Sequence, residues 1–122
     1  MVIKMEDWKK YEIAIWKKLN EGGVMANLNP NSGRYRLGDI ETREFVVECK
    51  YNKYPRVFDY LNFLEKCSRK TNKIPVVVAH HMFSKKDYAI LKLEDFIKLM
   101  KVYEAWKYFE TVLQDLVKEN QK

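Results

Sequence analysis

Glu48 and Lys50 are the residues in this sequence best suited to chemistry. They stand two apart in a run, Phe45-Val46-Val47-Glu48-Cys49-Lys50, that reads as a strand, so their side chains share one face. Phe45, Val46 and Val47 are expected to be buried, which leaves a carboxylate and an ammonium closing an apolar strand. Burying either charge alone costs several kcal/mol unless it is paired or metal-bound. Asp39 lies just before the turn into this strand and could reach the same end of the hairpin, with Gly38 beside it permitting close backbone approach. The two carboxylates so gathered are hard oxygen donors suited to Mg²⁺, with Mn²⁺ able to substitute, and the Lys50 ammonium beside them would serve an attacking water or a phosphate. Glu12 adds a third carboxylate, falling between Trp8 and Trp16 on the apolar face of a helix. For each residue a plainer reading stands beside this one. Glu48 and Lys50 could lie in solvent beyond the buried stretch, and Glu12 could pair with a nearby lysine or reach out to water.

The elements that must position these groups follow from periodicity. Trp8, Tyr11, Ile15, Trp16 and Leu19 recur at helical spacing, predicting a helix over 6–19 that stops at Glu21-Gly22-Gly23. Val24 to Leu28 reads as a short strand, and Asn29-Pro30-Asn31-Ser32-Gly33 as an exposed loop. Leu37 to Ile40 and Glu44 to Tyr51 predict a hairpin about the turn Glu41-Thr42-Arg43. Val57, Tyr60, Leu61 and Leu64 predict a helix to about Arg69, followed by strands over 75–80 and 87–93 and a helix over 94–118. This order predicts an α/β chain whose mixed β-sheet is flanked by helices, with an added C-terminal helix.

At 122 residues, with a third of them charged and few Gly or Pro, the chain reads as one unit spanning 1–122 with its core over about 6–100. Its longest apolar run, Ile74 to Ala79, is too short to cross a bilayer, and no secretory apolar region opens the sequence. A cytoplasmic protein without membrane association is expected, with Cys49 and Cys67 as reduced thiols. A net charge of +6 favours a polyanionic partner such as nucleic acid, while many of the lysines serve equally to keep the surface solvated.

Glu12 on the first helix, Gly38-Asp39 on one strand and Glu48-Cys49-Lys50 on the next resemble, in order and spacing, the PD-(D/E)xK nuclease superfamily. Asn31-Ser32-Gly33-Arg34, Gly38-Asp39-Ile40 and Val46-Val47-Glu48-Cys49-Lys50 are similar to the small phage and archaeal Holliday-junction resolvases. Lys73-Ile74-Pro75-Val76-Val77-Val78 and Leu93-Glu94-Asp95-Phe96 fit their later strand and helix. The chain departs from that pattern in carrying Gly38 where a proline is usual, and in having only Lys4 where archaeal members carry a basic segment.

The resemblance implies a restriction-endonuclease-like fold and Mg²⁺-dependent hydrolysis of branched DNA, in recombination or repair, leaving 5′ phosphates. Asp39, Glu48, the Cys49 backbone carbonyl and Glu12 would hold the metal, and Lys50 would orient the water. Ser32, Arg34, Arg36, Lys53 and Arg56 could grip flanking phosphates, and Tyr35, Tyr51 and Tyr54 could stack at a distorted junction, although loop aromatics are as often partly buried. His80 and His81 follow a strand and are expected to be structural. Leu99, Val102, Trp106, Phe109, Leu113 and Leu116 alternate three and four apart, predicting either a homodimer seam or a cover for the chain's own sheet. Two other functions stay open: a nuclease for other DNA structures or specific duplex sites, and a DNA-binding module that does not cut.

Overall fold

A computed structural model describes residues 6–29 and 37–121. The chain divides into two compact units, Met1–Leu91 and Lys92–Lys122.

The first unit is a five-stranded mixed sheet with helices packed on it. In chain order it runs α1 (Asp7–Glu21), β1 (Asn27–Leu28), β2 (Ile40–Glu41), β3 (Phe45–Lys50), α2 (Val57–Lys70), β4 (Ile74–His81) and β5 (Lys86–Ile90). The strands lie side by side in that order. All neighbours are antiparallel except β3 and β4, which run parallel with Glu48 opposite Val77 and Lys50 opposite Ala79. A parallel pair needs a crossover, and α2 supplies it.

Alternation along the central strands separates two cores. Tyr11 and Ile15 of α1 pack with Ala26, Ile40, Val47 and Cys49 on one face. Tyr60 and Leu64 of α2 pack with Val77 on the other. The sheet is therefore sandwiched between α1 and α2, as the α/β reading requires. Phe45 and Trp8 differ from expectation: Phe45 is only half-buried, and Trp8, a turn before Tyr11, is largely exposed.

Two strands are shorter than periodicity suggests, each for a local reason. The stretch before β1 is drawn to α1 instead of extending the sheet. Trp16 Nε1 donates to the Ala26 carbonyl at 2.7 Å, and the Asn20 amide both donates to that carbonyl and accepts from Ala26 N, each at 3.3 Å. With its polar groups so satisfied, Ala26 needs no strand partner. Before β2, Gly38 takes φ +70°, a left-handed conformation that interrupts an extended strand over 37–40.

The hairpin turn between β2 and β3 is tight and pinned from outside. Thr42 N donates to the Phe45 carbonyl at 2.9 Å and Phe45 N to Thr42 Oγ1 at 3.0 Å. Lys73 Nζ, arriving at the start of β4, donates to the Thr42 carbonyl at 2.9 Å and to Glu41 Oε2 at 3.2 Å.

The second unit is one long helix, α3 (Leu93–Asn120). It begins a residue earlier than Glu94, so Leu93 belongs to the helix and not to the preceding strand. Glu94 and Asp95 occupy its first turn, where carboxylates complement the positive end of the helix dipole. Among the described residues, no helix is long and apolar enough to cross a membrane.

Candidate active site

Parallel strands bring their carboxyl ends to one edge of a sheet, and crevices form there. In this chain β3 and β4 end together, and the crevice beside them holds a cavity of about 610 Å³. Its lining includes Glu12, Asp39, Glu48, Cys49 and Lys50, so the residues singled out by type and spacing meet at one place. Glu6, Asp7 and Trp8 from the start of α1, Tyr51, Asn52 and Lys53 after β3, and Met82 beyond β4 complete the wall.

Asp39 is the most firmly placed of the group, at 3% exposure. Its backbone N–H donates to the Val47 carbonyl at 2.8 Å, and its carbonyl accepts from Asn29 N at 2.9 Å. The carboxylate Oδ2 accepts from Cys49 N at 2.7 Å. A side chain thus extends the β2–β3 ladder where the β2 backbone has already turned away, and it fixes the carboxylate beside the last residues of β3. Asn29 strengthens the arrangement, its amide donating to the Leu37 and Gly38 carbonyls at 3.0 and 3.1 Å. Sequence reading assigned Asn29 only to a loop.

Gly38 is required by this geometry. A Cβ there would stand 2.6 Å from Val46 Cγ1 and 2.9 Å from the Val47 carbonyl oxygen. Proline, fixed near φ −65°, could not adopt the φ of +70° found at this position. Gly38 is thus built into the way this chain approaches Asp39.

Glu48 and Lys50 project on the α2 side of the sheet, in register with Val77 and Ala79, while Cys49 packs beneath α1. Both are half-buried at the strand end, neither fully inside nor in open solvent. The Glu48 charge is felt by Cys67 of α2, whose thiol pKa is raised first by burial and then by that carboxylate. Both cysteines are buried thiols.

Glu12 is 3% exposed, and its carboxylate lies 3.6 Å from Lys9 Nζ. The helix thus buries a carboxylate at the cavity wall and sets a lysine one turn away. The ion pair foreseen as the plainer explanation is present, and it coexists with the cavity position.

The carboxylates of Glu12, Asp39 and Glu48 and the Cys49 backbone carbonyl offer oxygen donors, which fits a hard divalent cation of the Mg²⁺ type. Among the described residues, no three His, Cys, Asp or Glu side chains are already arranged to hold a metal ion. The fit therefore rests on donor type, burial and the shared cavity.

A second cavity of about 470 Å³ shares Lys50, Tyr51, Asn52 and Lys53 with the first and adds Tyr54, Arg56, Asp59 and Tyr60. Lys53 and Arg56 therefore line a trough leading from the strand end. Tyr54 is exposed, with Lys53 Nζ 5.6 Å from its ring centre, while Arg56 pairs loosely with Asp59 at 3.9 Å. Ser32, Arg34, Arg36 and Tyr35 lie outside the described residues.

Tyr51 belongs to a polar and aromatic cluster that sequence reading did not find. Asp87 of β5 accepts from Tyr11 Oη at 2.7 Å and from Lys18 Nζ at 2.9 Å, and lies 2.9 Å from His80 Nδ1. Tyr51 stacks on His80 at 5.1 Å and tilts against Tyr11 at 5.2 Å. Burial, the largest influence on Asp87, pushes its pKa up, but hydrogen bonds from Lys18, His80 and Tyr11 outweigh it and bring the pKa to about 2. Burial, followed by the Asp87 carboxylate, raises the Tyr11 phenol well above its ordinary value. The cluster ties α1 to β4, β5 and the segment after β3, and Tyr51 brings it to the cavity wall. His80 is held in it, and His81 Nδ1 lies 2.7 Å from Ser84 Oγ in the β4–β5 turn. Nothing in the sequence joins Tyr11 to Asp87; only the fold does.

No protein-family model matches the chain, and no curated protein matches it in sequence.

Proposed function

We propose that the chain is a metal-dependent DNA endonuclease with a restriction-endonuclease-like fold, acting on branched DNA in the manner of a Holliday-junction resolvase. One observation carries this reading: a single cavity at the carboxyl ends of β3 and β4 is lined by Glu12, Asp39, Glu48 and Lys50. Carboxylates supplied by a helix, a turn and a strand, with a lysine two residues from one of them, form a group suited to phosphodiester hydrolysis.

Asp39, Glu48, the Cys49 carbonyl and Glu12 would hold Mg²⁺. A bound Mg²⁺ would lower the pKa of water and offset charge on the scissile phosphate. Asp39 contributes a carboxylate already fixed by Cys49 N, so it is positioned before substrate arrives. The Lys50 ammonium orients the water or balances charge on the phosphate from the same face as Glu48. Lys53 and Arg56 hold a flanking phosphate along the second cavity, and Tyr54 offers an exposed ring to an unstacked base. Backbone contacts of this kind fix position without reading bases, so binding would follow DNA shape and weaken steeply with salt. The net charge of +6 supports the same polyanionic partner.

The test is cleavage of labelled four-way junctions and matched linear duplex, in Mg²⁺ or EDTA, by wild type and Asp39→Ala. Paired symmetric nicks in the junction, lost with EDTA and with the variant, are expected. Cleavage of both DNAs alike would keep the nuclease and discard the preference for branches. Tight binding without cleavage in any divalent metal would overturn the catalytic reading in favour of a binding module.

A further inference from the structure

The largest unexplained feature of the molecule is the surface of α3. Leu99, Val102, Trp106, Phe109, Leu113 and Leu116 are each more than a third exposed, with Trp106 at 56%. A contiguous apolar stripe of this size marks an interaction surface. Lys101, Glu104, Lys107, Asp115 and Lys118 fall on the opposite arc of the helix. The stripe follows the alternating three-and-four spacing of a coiled-coil seam, with Leu99, Trp106 and Leu113 at one core position and Val102, Phe109 and Leu116 at the other.

We propose that α3 pairs with α3 of a second copy of this chain, antiparallel, about a two-fold axis midway between Lys107 and Tyr108. Placing the axis there sets Leu99 against the partner's Leu116, Val102 against the partner's Leu113 and Trp106 against the partner's Phe109, so every seam residue meets an apolar one. The charges flanking the seam select this arrangement. At one side Lys98 faces the partner's Glu119, and at the other Tyr103 faces the partner's Glu110, a hydroxyl against a carboxylate. By symmetry each pairing occurs twice.

The parallel alternative gives no such match. It would set Trp106 against the partner's Trp106, Lys98 against the partner's Tyr103 and Glu110 against the partner's Ala105, leaving no opposite charges across the seam. The intrahelical pairs competing for these groups are long: Lys98, itself exposed, lies 3.8 Å from the buried Asp95, and Glu110 lies 3.9 Å from Lys107. The Glu110–Lys107 pair is partly exposed and worth little, and at 3.8 Å Lys98 is held only loosely by Asp95.

Two further observations fit a second copy. Glu110, Leu113, Gln114, Val117 and Lys118 line a mainly apolar groove that runs from the seam onto one flank of α3. In the antiparallel register the groove lies opposite the partner's Leu99 and Tyr103. The exposed seam and its flanks offer on the order of 700 Å² per copy, close to the roughly 800 Å² per partner of a standard stable interface.

The test uses the full chain. Sedimentation equilibrium is expected to show a dimer at micromolar concentration, and Leu113→Lys to give a monomer with its circular dichroism retained. Lys98→Glu and Glu119→Lys should each weaken the dimer by about 5- to 10-fold, and together restore it to within about 2-fold of wild type. Spin labels on Tyr108→Cys and Asp115→Cys then fix the orientation, with wild type, whose own cysteines are buried, reporting background labelling. These two positions are one heptad apart. A parallel pair gives them equal inter-label separations, whereas the antiparallel pair adds about 22 Å along the axis at 115 and only about 2 Å at 108. Equal separations, or failure of the double charge swap to restore the dimer, would overturn the proposal. So would a monomer at all concentrations, and one that floated with anionic lipid vesicles would assign the stripe to a membrane surface instead.

Discussion

Replacing Gly38 by alanine tests how tightly the approach to Asp39 is built. Two costs add. A left-handed φ of +70° costs an L-residue with a Cβ about 1–2 kcal/mol. The new methyl would also stand 2.6 Å from Val46 Cγ1 and 2.9 Å from the Val47 carbonyl oxygen. The valine can turn away in part but the carbonyl, part of β3, cannot, and overpacking of this kind costs about 1–3 kcal/mol. The expected loss is therefore about 3 kcal/mol, which corresponds to a fall in Tm of about 10 °C for a domain of this size.

Guanidinium unfolding and a thermal melt by circular dichroism would measure this loss. A double-mutant cycle separates the two costs, because Val46→Ala in the Gly38→Ala background removes the shorter contact but leaves the backbone strain. A coupling of about 1 kcal/mol between the two sites is expected. If Gly38→Ala stays within about 0.5 kcal/mol of wild type, the chain does not approach Asp39 through this conformation, and if the two substitutions simply add, Val46 is not what a Cβ at this position meets. Either result would refute the steric reason for glycine at this position.

Other perturbations separate support from chemistry. Glu12→Gln keeps the side-chain volume and is expected to cut junction cleavage by about 100-fold and raise the Mg²⁺ required, with Tm changed by only a few degrees; cleavage kinetics over a metal titration check this. Asp87→Asn should remove pH-dependent stability. The native carboxyl titrates near 2, below its ordinary 3.8, so its contribution is full above about pH 4 and is lost as pH falls through 2. Allowing for solvent screening, the variant should lose about 1 kcal/mol at neutral pH and show a flatter acid limb in urea unfolding. Tyr11→Phe tests the alkaline side. A phenol with a raised pKa stabilises the fold below pH 10 and loses that contribution as pH rises, so the variant should be less stable than wild type at neutral pH, with the difference shrinking above pH 10. Asn20→Ala should lower stability by about 1–2 kcal/mol by leaving Ala26 N without its side-chain acceptor, measured by the same melts.

Regular spacing made the main elements legible. The helical spacing of apolar residues in α1 and α2, the apolar run that opens β3 and the β-branched run of β4 are all present in the sequence, and the helices and central strands lie where those patterns place them. The order Glu12, Asp39, Glu48 and Lys50 was legible as well, because residue type and local spacing were enough to single the four out. Features resting on side chains from distant segments were not. Asn20 and Trp16 shorten β1 by claiming Ala26, and Asn29 anchors the carbonyls before Asp39, yet an asparagine beside a loop looks the same whether or not it has such work. The Tyr11–Asp87 hydrogen bond spans most of the first unit, and no periodicity encodes it. Gly38 signalled freedom of the backbone, but its steric need became visible only with Val46 and Val47 beside it.

The parallel pairing of β3 with β4 bears on the order in which the chain acquires its structure. The β2–β3 hairpin closes through a short turn and can form early, whereas β4 can join β3 only after the whole segment carrying α2 has been drawn back along the sheet. Contacts within α2 reduce that entropic cost, so mutations at Tyr60 and Leu64 are expected to slow folding. The crevice beside the ends of β3 and β4 thus exists only late in folding. Until then Glu48 and Lys50 remain hydrated on a hairpin edge, and the chain avoids confining their charges before the surroundings that accommodate them are in place.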